Sequence, residues 1–292
     1  MFKINKKRCE DMKMKKVQCM LLFFIIANMF LVMGCESVEK DSENVTISDI
    51  AYDNQVSSGI FSKIGSGNNK IEENDYTVYI EENDEFVPYL VLTSDYNGNT
   101  MLLRKYVLEE ERPYNEDSQK VFYENSLVDK FLNDEYIKTL SDFIQDNIVN
   151  TKVLVTRTFI NNIGNVDVEA YPIERKIFLI SYTELGLERI SVAKEGKSLE
   201  YFEHKKSYSA YAYEGREERI WYLRTPYLSS SGDAVWVVGI DGTLGGKGIL
   251  EFGGEGGLAK SSVRPAFCVN NSLLIVESKE VIDGETVYVV KK

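Results

Sequence analysis

The sequence predicts an α+β fold of mixed and antiparallel sheets with two or three helices, on three observations. A hairpin pattern occupies Tyr76 to Leu108, two helix-period stretches occupy Leu127 to Ile148, and a glycine-rich stretch from Trp221 to Phe267 has apolar strands at its ends. In the first, Tyr76 to Ile80 alternates and Tyr89 to Leu92 is an apolar run. Asp95-Tyr96-Asn97-Gly98-Asn99 then reads as a turn and Thr100 to Leu108 as the second strand of a hairpin. Glu109 to Gln119 is charged, carries Pro113-Tyr114-Asn115, and reads as a loop.

Asn125 or Ser126 is placed to cap a helix with Leu127, Val128, Phe131 and Leu132 on one face. A second helix is expected from Asn133-Asp134, setting Ile137, Leu140, Phe143, Ile144 and Ile148 at three- and four-residue spacing. Both faces read as core. Val153-Leu154-Val155 and Lys176 to Ser181 read as buried strands, and Ser181 as the cap of a short helix from Thr183. Tyr201, Tyr208, Tyr211 and Tyr213 either pave a ligand surface or pack on the core; both readings stay open. A terminal hairpin is expected over 271–292, its strands flanking Asp283-Gly284.

Composition narrows the function classes. Of 292 residues, 43% are hydrophobic and 12% aromatic, enough for a packed core. The formal charge is −12, yet the first 34 residues hold seven Lys/Arg and two acids. The 27 basic and 44 acidic residues that remain leave −17, a surface that repels phosphate backbones and excludes nucleic acid as a partner. Of Cys9, Cys19, Cys35 and Cys268, only the last lies in the expected folded part, so no internal disulfide is expected there.

The N-terminus reads as an export leader. Lys13, Lys15 and Lys16 precede fourteen residues, Met20 to Met33, that are apolar except for Asn28. Val32-Met33-Gly34-Cys35 follows and resembles the bacterial lipobox, Met33 being less typical than a small residue there. That resemblance implies lipid attachment to Cys35, cleavage after Gly34 and an acylated (palmitate-type) anchor on the outer face of the cell membrane. The alternative is a plain transmembrane anchor with Cys35 incidental, for which the apolar run is short. Met12 and Met14 are alternative starts to Met1. Residues 1–34 are thus expected as a signal peptide, 35–75 as a polar tether and 76–292 as one α+β domain.

The order of motifs carries a second resemblance. Arg104-Lys105-Tyr106, Pro113-Tyr114-Asn115, Phe131-Leu132-Asn133 and Ile177-Phe178-Leu179-Ile180-Ser181 come first. Trp221-Tyr222-Leu223-Arg224-Thr225-Pro226, Asp241-Gly242-Thr243 and Val263-Arg264-Pro265-Ala266 follow. Over 86–269 this resembles an uncharacterised bacterial lipoprotein and cell-surface domain family with W-x-L-R-S/T-P and V-R-P-A motifs. Phe122-Tyr123-Glu124 departs from the tryptophan and glutamate that family often shows there. At fold level the resemblance implies a C-type-lectin-like architecture, in which late strands are rigid and loops vary; it transfers no function.

Trp221, Leu223, Pro226, Val263 and Pro265 read as the structural part of the motifs. Arg224 and Arg264 stand beside prolines, where a guanidinium either pins loop carbonyls or clamps a ligand. Arg224, Arg264, Tyr227, Ser230, Tyr211 and Tyr213 are the candidate binding residues. Recognisable catalytic sets are missing from the sequence. His204, the single histidine, sits in Glu203-His204-Lys205-Lys206 and reads as solvated, and the glycines of 245–257 lack the Gly-Lys-Ser/Thr of a phosphate loop. Asp233 or Asp241 as a calcium ligand is weak without the D-x-D/N spacing, so no metal and no cofactor is expected. The expectation is a non-catalytic surface module for a carbohydrate, wall polymer or protein. Its alternatives are a carboxylate-dependent polysaccharide enzyme and a scaffold of an envelope complex.

Overall fold

Two pairs of residues with left-handed backbone set up the first sheet. Asn83 (φ 51°) and Asp84 (φ 65°) form one tight turn, Asn97 (φ 55°) and Gly98 (φ 80°) another. These residue types tolerate positive φ, and turns of that hand match the twist of paired strands, so each closes a hairpin. The computed structural model describes residues 44–57, 73–116, 121–160, 162–163, 166–189, 192–204, 210–211, 217–228, 234–239, 249–252, 260–278 and 287–292. The leader, Gly34, Cys35, Asp233, Asp241-Gly242-Thr243 and the Asp283-Gly284 turn lie outside them.

Strands of four residues or more are β1 (Thr77–Glu82), β2 (Glu85–Tyr96), β3 (Asn99–Arg104), β4 (Thr151–Ile160) and β5 (Val166–Arg175). After them come β6 (Trp221–Tyr227), β7 (Ala234–Val238), β8 (Ile249–Phe252) and β9 (Ala266–Val269). The main sheet runs Ile275–Glu277, Tyr288–Val290, β1, β2, β3, β9, and its far edge is shared by the two-residue strands Ile148–Val149 and Ile177–Phe178. Its pairings are antiparallel except that of β1 with Tyr288–Val290. Strands β6, β7 and β8 form a second antiparallel sheet, and β4 with β5 a separate two-stranded ribbon. Tyr89 to Leu92 are buried in succession, so the main sheet is covered on both faces. The fold is α+β, mostly strand, with four α-helical segments among the described residues, none above six residues. No helix among the described residues is long and apolar enough to cross a membrane.

The hairpin across Asn97-Gly98 forms as its turn chemistry predicts, although its second strand ends at Arg104 rather than Leu108. Ser126 caps its helix, its Oγ accepting from Asp129 N at 3.0 Å. The expected pair of helices is different. Leu127–Lys130 passes into a π turn (Phe131–Glu135) and a 3-10 turn (Tyr136–Thr139), and the chain then breaks at Leu140 before Asp142–Asn147. The break is caused by competition from β1. Asn83 N donates to Thr139 O at 2.7 Å and Ser141 N to Glu81 O at 3.1 Å, replacing the helical bonds given up there. Ile148, expected on the helix, lies in a strand on β9.

Two further expectations are corrected. From Ser181 the chain makes a single turn instead of a helix: Gly186 (φ 76°) stops it, its N–H donating to Thr183 O. The tether expected over 35–75 loses its middle, because residues 44–57 belong to the folded unit Asn44–Lys292. Ile47, Ile50, Ala51 and Tyr52 are buried, Ile47 N donates to Leu273 O, and Asp53 accepts from Thr93 Oγ1 and Ser94 N. Short apolar side chains hidden among Ser, Asn and Asp carry little periodic signal, which is why this segment reads as linker.

Candidate functional site

One segment, Ser181 to Gly196, builds both sides of the candidate site. Its inward side chains fix the chain to the core. Strands β6 and β7 lose register between Tyr222 and Pro226, where proline has no N–H to give the ladder. There Arg224 N donates instead to Ile180 O, and the Arg224 side chain runs inward. Its guanidinium forks onto Glu184, Nη2 to Oε1 at 2.6 Å and Nη1 to Oε2 at 2.8 Å, with both side chains 0% exposed. Nε donates to Leu154 O, and the remaining N–H groups reach Leu179 O and Glu195 O. Burial opposes the Arg224 charge, but Glu184, Tyr96 and Glu195 together outweigh it and the guanidinium's proton is held more tightly than usual.

The carboxylates of this network are covered by donors. Glu184 also accepts from Ser181 N at 2.9 Å and Tyr96 Oη at 2.5 Å, while Ser181 Oγ accepts from Glu184 N at 3.1 Å. Glu195 accepts from Thr156 N (2.6 Å), Thr156 Oγ1 (2.7 Å) and Thr225 Oγ1 (2.5 Å). Burial raises the Glu195 carboxyl above its usual value, against Arg224 and these donors, which lower it.

The outward side chains of the same segment line a pocket of about 410 Å³, formed by Thr183, Leu187, Glu188, Arg189, Val192 and Lys194. Arg189 joins it to an aromatic shelf. Its guanidinium carbon lies 5.0 Å from the Tyr227 ring centre and 5.4 Å from that of Trp236. Trp236 is held between Tyr227 (5.0 Å, edge-on) and Tyr182 (4.7 Å). The pocket joins apolar Leu187 and Val192 to Thr183 and three charged side chains, Glu188, Arg189 and Lys194, with half-buried Tyr227 next to Arg189, a mixture that suits a small polar ligand. A second groove of about 520 Å³ lies by the Asn83-Asp84 turn, with Glu81, Asp84, Lys138, Asp142, Lys292 and Phe143 in its lining. Among the described residues no group of three or more His, Cys, Asp or Glu is placed to hold a metal ion.

The sequence-predicted residues separate into interior, shelf and undescribed. Arg224 and Arg264 are buried, and a ligand at the surface does not meet them. Arg264 donates to Arg104 O (2.9 Å) and Lys105 O (3.0 Å) with its guanidinium over Trp221 at 5.1 Å, and burial lowers it to about 10. The first motif pairs with the residue just before the second: Tyr222 N donates to Ser262 O, and Ser262 N to Ile220 O. Trp221, Leu223 and Val263 are core residues. Tyr227 is half-buried on the shelf. Tyr211 pairs its backbone with Glu218, while its side chain, Ser230, Tyr208 and Tyr213 are outside what is described. Tyr201 packs on Tyr52, Tyr76 and Phe202. Cys268 is buried, its thiol pushed up to about 12 by that burial. His204 is exposed, with Nδ1 3.0 Å from Tyr52 Oη.

Sequence reasoning missed Arg189, Trp236, Glu184 and Glu195. Ser181 and Glu184 stand three apart, the spacing of a capping box, which was the available signal for Glu184. The domain family described as Domain of unknown function (DUF6273) matches residues 97–271, which covers β3 to β9 and the whole pocket segment. No curated protein matches the chain, and no solved structure does.

Proposed function

From the premise that this chain belongs to the family Domain of unknown function (DUF6273), we propose that it is a non-catalytic binding module held by lipid on the outer face of a cell membrane. The observation that carries the reading is Arg189, which lines the pocket and at once lies over Tyr227 and Trp236. The half-buried Tyr227 ring and the exposed Arg189 beside it give a sugar ring or an aromatic side chain a contact surface, with buried Trp236 holding Tyr227 in place and charged groups at the margin for hydroxyls or carboxylates. The Arg224–Glu184 pair beneath supports the same reading, since it fixes the backbone that presents the pocket.

The C-type-lectin-like architecture, the W-x-L-R-S/T-P and V-R-P-A signature and the anchor at Cys35 belong to this proposal. Late strands packed around Trp221 and Val263 support the architecture; the leader and the Gly34-Cys35 junction support the anchor. The Asn44–Lys292 unit is to be tested on arrays of oligosaccharides and wall-polymer fragments. Tyr227→Ala and Arg189→Ala should each weaken binding by about tenfold while the unit stays folded by circular dichroism, Tyr227→Ala with some loss of melting temperature because the ring packs on Trp236. Hydrolysis or group transfer abolished by one carboxylate substitution would overturn the non-catalytic reading. For the anchor, Cys35→Ser should move the protein from the membrane fraction to the soluble one.

A further inference from the structure

The ribbon of β4 and β5 changes character along its length. Its base is built into the body: Thr151, Val153, Val155 and Thr156 are buried. From Arg157 outward, four consecutive residues (Arg157, Thr158, Phe159, Ile160) are exposed. Side chains alternate faces along a strand, so exposure of four in a row means that both faces have left the body. At about 3.3 Å per residue the arm projects roughly 13 Å.

Along that arm polarity is layered. Arg157 pairs across the ribbon with Glu169 (2.5 Å), and its guanidinium carbon lies 4.6 Å from the Tyr171 ring centre, which makes a charged and aromatic collar. Beyond the collar, residues 158–168 carry a single charge, Asp167 opposite Phe159, and the end of the arm past that pair is uncharged in a protein of net charge −12. At the end stand Phe159, Ile160 and Ile163, which are 37%, 75% and 81% exposed. Large exposed apolar side chains otherwise amount, among the described residues, to Phe86 and Val276.

We propose that this tip dips into the interface of a neutral or zwitterionic lipid surface. Three side chains at the end of a narrow arm present far less than the ~800 Å² per partner that a stable protein interface buries. They do suit a lipid interface, where an apolar element enters about 5–10 Å and tyrosine and arginine settle at headgroup level. The acidic protein gains no attraction from anionic headgroups, so the apolar tip itself supplies the affinity. This inference is independent of the pocket reading and of the anchor: the Asn44–Lys292 unit lacks Cys35 and is compact by itself.

The test is flotation of that unit with phosphatidylcholine vesicles. Co-flotation is expected, with a drop of about tenfold or more for the double variant Ile160→Asp/Ile163→Asp, whose exposed positions leave the fold and its circular dichroism unchanged. In Ile163→Trp, the added indole fluorescence should be quenched by brominated acyl chains, against the background of buried Trp221 and Trp236. The proposal is overturned if the unit stays with the aqueous phase, if the acidic variant floats equally well, or if only aqueous iodide quenches. Self-association removed by the same acidic variant, without vesicle binding, would identify the tip as a protein contact and overturn it too.

Discussion

Arg224 and Glu184 meet as a planar fork, two hydrogen bonds of 2.6 and 2.8 Å between side chains that are fully buried. Forty positions apart in sequence, they join β6 to the pocket-forming turn. Removing one partner of a buried pair strands the other's charge, at a cost of about 3–5 kcal/mol. Arg224→Met is expected in that range or above it, since Leu154, Leu179 and Glu195 each lose a donor to their carbonyls. Glu184→Gln belongs in the same range. The double variant should cost clearly less than the two singles together, because the second change removes a charge already left alone. Urea denaturation of all four forms measures this, and simple additivity would show that the fork is not the coupling element.

Glu195 gives the fold a pH dependence of definite sign. Its carboxyl is raised above the ordinary 4.5 by burial. The folded state therefore still holds a proton at pH values where the unfolded chain has lost it. That contribution is complete below the ordinary value and disappears as pH rises through the raised one. Stability of the wild type should accordingly fall on going upward from about pH 4.5, over the span of that shift. Glu195→Gln, which keeps an acceptor for Thr156 and carries no charge, should lose this slope. Denaturation midpoints taken between pH 4 and 8 decide it; parallel curves for the two proteins would contradict the assignment.

What was legible in the sequence is local. Asn97-Gly98 announced its turn and Ser126 its helix, because both signals act within three residues. The late strands were visible as aromatic and apolar alternation. Leu140 was misplaced because helical spacing continues through it, whereas the strand edge that breaks the helix comes from Glu81 and Asn83, nearly sixty positions earlier. Arg224 was legible as a residue that either pins carbonyls or clamps a ligand, and it does pin carbonyls, but which ones (Leu154, Leu179, Glu195) and its buried partner Glu184 are invisible until the fold assembles them. The shelf was hidden in the same way: Tyr182, Arg189, Tyr227 and Trp236 come from three separate segments.

Arg264→Lys tests whether the second motif arginine works through its shape. One guanidinium spans the carbonyls of Arg104 and Lys105 while lying over Trp221. A single ammonium does not reach both, so a loss of about 1–3 kcal/mol is expected. Burial that already lowers the arginine to about 10 would depress a lysine further below its own usual value. A base depressed on folding binds fewer protons folded than unfolded, so the variant should gain stability as pH rises from 7 toward 10. Equal stability of variant and wild type across that range would mean that packing alone holds the V-R-P-A segment.

Gly196 and Gly98 separate backbone strain from steric contact. Both have positive φ, 110° and 80°, which alanine adopts only with strain. At Gly98 an added Cβ meets nothing within 4 Å, so Gly98→Ala should cost only the backbone term, about 1 kcal/mol. At Gly196 the same Cβ lies 3.1 Å from Glu184 Oε1 and 3.4 Å from Glu184 Cγ. That carboxylate is fixed by Arg224, Tyr96 and Ser181 and has little room to yield. Gly196→Ala is therefore expected to cost at least about 2 kcal/mol and to weaken the proposed ligand binding at the pocket as well, since the Ser181–Gly196 segment carries both. Thermal unfolding compares the two variants directly. Equal losses at the two positions would show that Glu184 is not clamped, and the pocket would then rest on something other than the Arg224 fork.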